Sequence, residues 1–182
     1  LAALPFLFYV MLTAAASAQT VHERYPIIPW PDSVRDVPGS FTLAKESAIV
    51  VSDDSLSDDA SLFNDYLQAN YGFRLAIRTS RRASAGELFL SVVSDKRGAV
   101  GAYQLSVSKN RITIKADSRA GVFYGLQTLI QLLPAGKTDR MDIPCIEVSD
   151  QPRFMWRGMH LDVSRHFFPV SFVKRYIDHL AR

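Results

Sequence analysis

Cysteine is almost missing from this chain. Among 182 residues only Cys145 carries a thiol, so no internal disulfide can form and the fold must rest on its core. Cys145 lies in the apolar, strand-like run MDIPCIEV, which reads as a small buried hydrophobe and not as a nucleophile. A block of like charge is also missing. The 21 basic and 18 acidic residues leave a net charge of +3 without a basic cluster, and the usual aromatic interleaving of a single-strand binder is absent. Nucleic acid is therefore not an expected partner. Metal-ligand spacing is lacking as well: neither His160 nor His166 has a Cys, His or Glu three or four residues on. There is no Gly-x-Ser-x-Gly elbow and no phosphate-binding loop. No cofactor or metal is expected.

A long apolar run occurs once, at the start, in LAALPFLFYVMLTAAASAQT. It carries no charge, is shorter than the ~20 residues of a membrane helix, and ends in Ala16-Ser17-Ala18, a small-residue cleavage pattern. Residues 1–18 read as a secretory signal peptide cut after Ala18, with its start truncated, since residue 1 is Leu and no basic segment precedes the run. A secreted or periplasmic product without stable membrane insertion is expected.

What remains alternates strand and helix signals. YPIIPWPDSVRDVPGSF holds four prolines and reads as an extended lead-in lying along a surface. FTLAKESAIVVS is strand-like. DDSLSDDASLFNDYLQANYGF predicts a helix with Leu62, Phe63, Tyr66 and Leu67 on one face and Gly72 after its end. The pairs Asp53-Asp54 and Asp58-Asp59 suit capping and the helix dipole better than catalysis. RLAIRTS and ELFLSVVS are strand candidates, and AYQLSVSKNRITIKA predicts a hairpin with Tyr103, Leu105 and Val107 alternating against Ile112 and Ile114. DSRAGVFYGLQTLIQLLPAG predicts a second helix, capped by Ser118, ended by Pro134, and striped by Val122, Phe123, Leu126, Leu129, Ile130 and Leu133. Its Gly121 and Gly125 imply close packing on a sheet. The sum is an α+β sandwich: a mixed or antiparallel sheet with two helices on one face.

A second unit is expected from about residue 140, with MDIPCIEVSDQPRF as a connecting strand and turn. MHLDV then predicts a buried strand, SRHFFP a loop, and SFVKRYIDHLAR a helix capped by Ser171 with Phe172, Val173, Tyr176, Ile177 and Leu180 inside. On a strand, Arg157, Met159, Leu161, Val163 and Arg165 share one face, and Gly158, His160, Asp162 and Ser164 the other. Arg165 falls at the strand's C-terminal end, where a β/α barrel presents its substrate contacts. Its fork of donors suits sugar hydroxyls or a carboxylate. From spacing alone two readings stay open: a substrate contact, or an ion pair that holds the loop. Asp162 suits anchoring of its own strand, and His166 is either an orienting partner or a loop histidine without a role.

PRFMWRGMHLDVSRHFFPVSFVKRYID resembles the opening of the catalytic barrel of family 20 glycoside hydrolases, the β-N-acetylhexosaminidases. SRAGVFYGLQTLIQLL is similar to the second helix of the α/β domain that precedes that barrel, and YPIIPWP and the AYQLSV…ITIKA hairpin fit the same domain. The resemblance covers nearly all of the chain beyond the leader. It implies a bacterial-type α/β domain over residues 19–147, then the start of a (β/α)8 TIM barrel over 148–182. It also implies removal of terminal β-linked N-acetylglucosamine or N-acetylgalactosamine from glycans by substrate-assisted, retaining catalysis. The sugar's 2-acetamido oxygen attacks the anomeric carbon, a Glu protonates the leaving oxygen, and the preceding Asp steadies the acetamido group. In the D-x-S-R-H run the family's Arg binds hydroxyls of the terminal sugar, which maps onto Arg165; Asp162 and His166 keep the supporting roles read from their positions.

The family's Asp-Glu pair belongs to a later barrel strand than any in these 182 residues, and an eight-unit barrel needs ~250 residues. The expectation is thus a fragment, inactive by itself. Trp156 precedes the strand and is not assigned to a sugar pocket. Two alternatives are weighed: a non-catalytic glycan-binding α/β module, and another glycosidase with a similar leading domain, such as the O-GlcNAc hydrolases or α-glucuronidases. The barrel-opening segment speaks against the first and LDVSRHFF against the second.

Overall fold

The computed structural model describes residues 21–93, 100–136, 138 and 140–181. The expected signal peptide lies outside them. Seven strands form one sheet: β1 (Ser33–Ala44), β2 (Ala48–Val51), β3 (Ala76–Thr79), β4 (Leu88–Val92), β5 (Tyr103–Val107), β6 (Ile112–Ala116) and β7 (Arg140–Asp150). Their order is β1-β7-β5-β6-β4-β2-β3. Pairings from β1 to β6 are antiparallel and those from β6 to β3 parallel, so the sheet is mixed, as expected. Among the described residues four α-helices accompany it: α1 (Val21–Arg24), α2 (Ser57–Tyr71), α3 (Arg119–Gln131) and α4 (Val170–Ala181).

The α2 helix packs on β2 and β3, α3 on β4, β5 and β6, and the two helices touch each other, which puts both on one face of the sheet. The core fills the space between. Alternation in β5 and β6 sends Tyr103, Leu105, Val107, Ile112, Ile114 and Ala116 into it, while Gln104 and Lys115 stay exposed. Ser118 caps α3 by accepting from the Gly121 N–H at 3.4 Å. Asp53 caps the short 3-10 turn Asp54–Leu56, which leads into α2. The glycine pair of α3 does what its spacing implies. A Cβ on Gly121 would lie 2.5 Å from the Ala102 carbonyl oxygen, and one on Gly125 would lie 2.7 Å from Ile114 Cγ2. The helix can sit this close to the sheet only because both positions lack a side chain.

Several expectations are corrected. The proline-rich lead-in does more than lie along a surface: Pro26, Ile28 and Pro29 are exposed, but Tyr25 and Ile27 are each 2% exposed within the core, and residues from Ser33 onward form β1. Val37-Pro38-Gly39 is accommodated as an irregularity in β1, where the register with β7 shifts between Asp36 and Ser40. The β7 strand is no connector to a second unit. It lies between β1 and β5, runs through residue 147 and ends at Asp150. Burial on α2 follows Ala60, Phe63, Asn64, Leu67 and Tyr71, with Leu62 turned outward, because the helix presents its Asp59–Tyr71 stripe to the sheet. The α3 helix stops at Gln131, before Pro134. Cys145 is fully buried.

Polar groups in the core are matched. Asn64 accepts from the Leu75 N–H at 2.8 Å and donates to its carbonyl at 2.9 Å, tying α2 to the approach to β3. Asp59, 4% exposed, receives Arg119 Nε at 2.6 Å, and Asp58 receives the same guanidinium at 3.0 Å. One arginine thus joins the first turns of α2 and α3, giving the Asp58-Asp59 pair a structural use beyond the helix dipole.

Candidate functional site

The segment after β7 differs from its expected form. No residue between Gln151 and Pro169 is in a hydrogen-bonded strand, and Met159, Val163 and Phe167 are 68%, 58% and 94% exposed. The expected buried strand MHLDV is therefore largely exposed, unpaired chain. A strand is defined by its neighbours' hydrogen bonds, and no neighbouring strand stands beside it among the described residues. The α4 helix does form, but it starts at Val170, so Ser171 lies inside its first turn and is not its cap. The Pro169 carbonyl accepts from the N–H groups of Phe172 (2.9 Å) and Val173 (3.3 Å) to open that helix, and Phe168 stacks on Phe172 with ring centroids 4.6 Å apart. None of its residues is buried.

Three residues were expected to matter in this segment. Arg165 and Asp162 come together, although a regular strand would set them on opposite faces. Asp162 Oδ1 accepts from the Ser164 N–H at 2.9 Å, turning the backbone locally, and its Oδ2 lies 3.3 Å from Arg165 Nε. The Arg165 side chain is 84% exposed, and an ion pair that open contributes little to stability. Nε faces Asp162, and both Nη groups have no partner among the described residues. Such a guanidinium retains paired donors that can bridge adjacent hydroxyls. His166 is exposed and has no hydrogen-bond partner among the described residues.

Sequence reasoning missed the contact that anchors the segment. Arg157 donates from Nη2 to the Tyr124 hydroxyl at 2.8 Å, with its guanidinium carbon 5.0 Å from the ring centroid. A second tether runs from the Tyr176 hydroxyl to the His160 carbonyl at 3.4 Å. The available signal was a tyrosine at the edge of the α3 stripe, but its partner lies 33 positions along the chain and nothing local announces it.

A groove of about 770 Å³ opens between α3 and the start of this segment, with Trp30, Phe123, Tyr124, Phe154 and Arg157 among its walls. A smaller cleft of about 330 Å³ lies at the ends of β5 and β6, beside Asp32, Asp117 and Asp150. Among the described residues no three His, Cys, Asp or Glu side chains are grouped to hold a metal ion. No described helix is long and apolar enough to cross a membrane.

The described residues thus form a mixed-sheet α/β domain with two helices on one face, continued by an exposed irregular segment and an amphipathic helix. Two family models match in succession: "Glycosyl hydrolase family 20, domain 2" over residues 24–151 and "Glycosyl hydrolase family 20, catalytic domain" over residues 154–182. The chain belongs to glycosyl hydrolase family 20. It is 34% identical over 161 residues to a β-hexosaminidase of Porphyromonas gingivalis, covering 85% of this chain and 21% of that protein. Among solved structures it is similar to the family 20 β-N-acetylhexosaminidase of Streptomyces coelicolor, with a TM-score of 0.74, 32% identity, and coverage of 86% of this chain and 33% of that one. It is also similar to the family 20 exo-β-N-acetylglucosaminidase of Vibrio harveyi in complex with N-acetylglucosamine, with a TM-score of 0.72, 32% identity, and coverage of 85% and 23%. The chain therefore spans about a fifth to a third of the length of these relatives.

Proposed function

We propose that the full-length protein is an exported exo-β-N-acetylhexosaminidase that removes terminal β-linked N-acetylglucosamine or N-acetylgalactosamine from glycans. The observation that carries this reading is the unbroken succession of the two family 20 matches, one over the α/β domain and the other opening at residue 154. The reaction in this reading is substrate-assisted and retaining. The 2-acetamido oxygen attacks the anomeric carbon while a Glu protonates the departing oxygen, and the Asp before that Glu steadies the acetamido group. Both carboxylates are supplied by residues outside these 182. Export rests on the charge-free leader and its Ala16-Ser17-Ala18 pattern.

Within this chain Arg165 is assigned to the terminal sugar. Its exposed guanidinium suits hydroxyls at ring positions away from the scissile bond, where it adds binding to the part of the sugar that does not react. The test is hydrolysis of 4-nitrophenyl N-acetyl-β-D-glucosaminide by the full-length protein and by its Arg165→Ala variant. The wild type should turn the substrate over. The variant should lose at least about tenfold in kcat/KM, or ~1.4 kcal/mol. An inert wild type would sink the activity, and an unchanged kcat/KM would remove Arg165 from the site.

A further inference from the structure

Residues 151–169 bury almost nothing of their own, so the few contacts they make decide where they lie. The first is with the α/β domain, and it is a built contact. Tyr124 projects from α3 against Gly101 and Pro152: a Cβ on Gly101 would lie 2.8 Å from the tyrosine ring and 3.0 Å from Pro152 Cγ. Gly101 has φ +99, and its N–H donates to Asp117 at 3.0 Å, which fixes this support under the ring. Phe123 meets Tyr124 edge-on, with centroids 6.0 Å apart. Onto this braced ring Arg157 places its guanidinium, using both its charge and a hydrogen bond to the hydroxyl. Two independent attractions on one rigid aromatic constrain direction as well as distance.

From these contacts we infer that Tyr124 is a positioning residue for the sugar site. It holds Arg157 and so sets the direction in which the chain runs to Asp162 and Arg165. The α/β domain, which contributes no catalytic residue here, would then tune sugar affinity through this one ring. The inference rests on the assignment of Arg165 to the terminal sugar. Because Arg165 would grip a part of the sugar that does not react, misplacing it weakens ground state and transition state alike. The signature is therefore a rise in KM with kcat nearly unchanged.

The experiment uses the full-length protein with Tyr124→Phe, which keeps the ring and loses the hydroxyl, and Tyr124→Leu, which loses both. KM for 4-nitrophenyl N-acetyl-β-D-glucosaminide should rise about twofold in the first and about fivefold in the second, with kcat within about twofold. In an Arg165→Ala background neither change should raise KM further, because the route passes through Arg165. Additive effects in that background would overturn the inference, as would an unchanged KM in variants that keep the wild-type melting temperature. Hydrogen exchange across residues 158–166 supplies a readout independent of turnover: Tyr124→Leu should speed it, and Tyr124→Phe should lie between. An inert wild type would remove the proposed activity, while exchange rates would still decide whether Tyr124 holds this segment. Unaltered exchange overturns the positioning role whatever the activity.

Discussion

The α2 and α4 helices present similar stripes and meet opposite fates. On α2, Phe63 and Leu67 are 1% and 0% exposed, shut between the helix and the sheet. On α4, Phe172, Val173, Tyr176, Ile177 and Leu180 make the tidier stripe, yet Ile177 and Leu180 are 56% and 49% exposed and no residue is buried. An amphipathic stripe states that a helix needs a partner, and it does not supply one. In the α/β domain each apolar face finds another inside residues 25–150. Between 151 and 181, local structure forms where hydrogen bonds are internal to a helix and fails where they must come from a neighbouring strand.

The largest test of that contrast removes one phenylalanine from each region. Phe63→Ala opens a cavity in a closed core and should cost about 3–5 kcal/mol in urea unfolding. Phe167→Ala, at a side chain 94% exposed, should stay within about 0.5 kcal/mol. Comparable losses at the two sites would mean that the 151–181 segment is packed in solution, and the contrast would fall.

A finer test uses two glycines. In an exposed helix Gly→Ala stabilises by up to ~1 kcal/mol. At Gly121 the new methyl would meet the Ala102 carbonyl oxygen at 2.5 Å, a backbone atom that cannot swing aside. Gly121→Ala should therefore reverse the usual sign and destabilise by about 1–3 kcal/mol. At Gly158 the nearest heavy atom, in the Trp156 ring, would be 3.5 Å away, an ordinary contact. Gly158→Ala should be neutral within about 0.5 kcal/mol. A stabilised Gly121→Ala protein would show that α3 can lift from the sheet at little cost.

Most of the α/β domain was legible because its signals are local. The β5–β6 alternation, the Ser118 cap and the Gly121/Gly125 spacing each carry their meaning within a few residues. What escaped depends on distant partners. The prolines of the lead-in obscured a strand that β7 completes, and MDIPCIEV looked like a connector because nothing in it says that it will lie between β1 and β5. The inward turn of Asn64 toward Leu75 and the Arg119 link between helices are likewise invisible without the fold. At the candidate site, residue type and position left Arg165 open between a sugar contact and a loop ion pair, and only the family resemblance favoured the sugar. The alternation rule then misplaced Asp162, because the rule presumes a paired strand and the backbone turns there instead.

Titration sharpens the comparison from the packed side, with the smallest effect at neutral pH. Burial pushes the Tyr25 phenol up from its ordinary 10.0 to about 12, aided by its hydrogen bond to Asp36 and that carboxylate's negative charge. Burial also raises Tyr71 and Tyr103. A phenol whose folded pKa exceeds its unfolded one favours the protonated fold, so its contribution is fully present below pH 10. That contribution fades as the pH climbs from 10 through about 12, because the unfolded chain ionises first. The urea midpoint should therefore fall as the pH rises past about 9, where the unfolded Cys145 thiol and then the phenols ionise, with Tyr25→Phe falling less steeply above about pH 10. A variant with the same alkaline slope as the wild type would assign the loss to Tyr71, Tyr103 and the Cys145 thiol, which burial also raises, and remove the Tyr25–Asp36 contact as its source. A flat profile to pH 12 would mean that none of these phenols is closed off from water, and the packed core that separates the two regions would have to be redrawn.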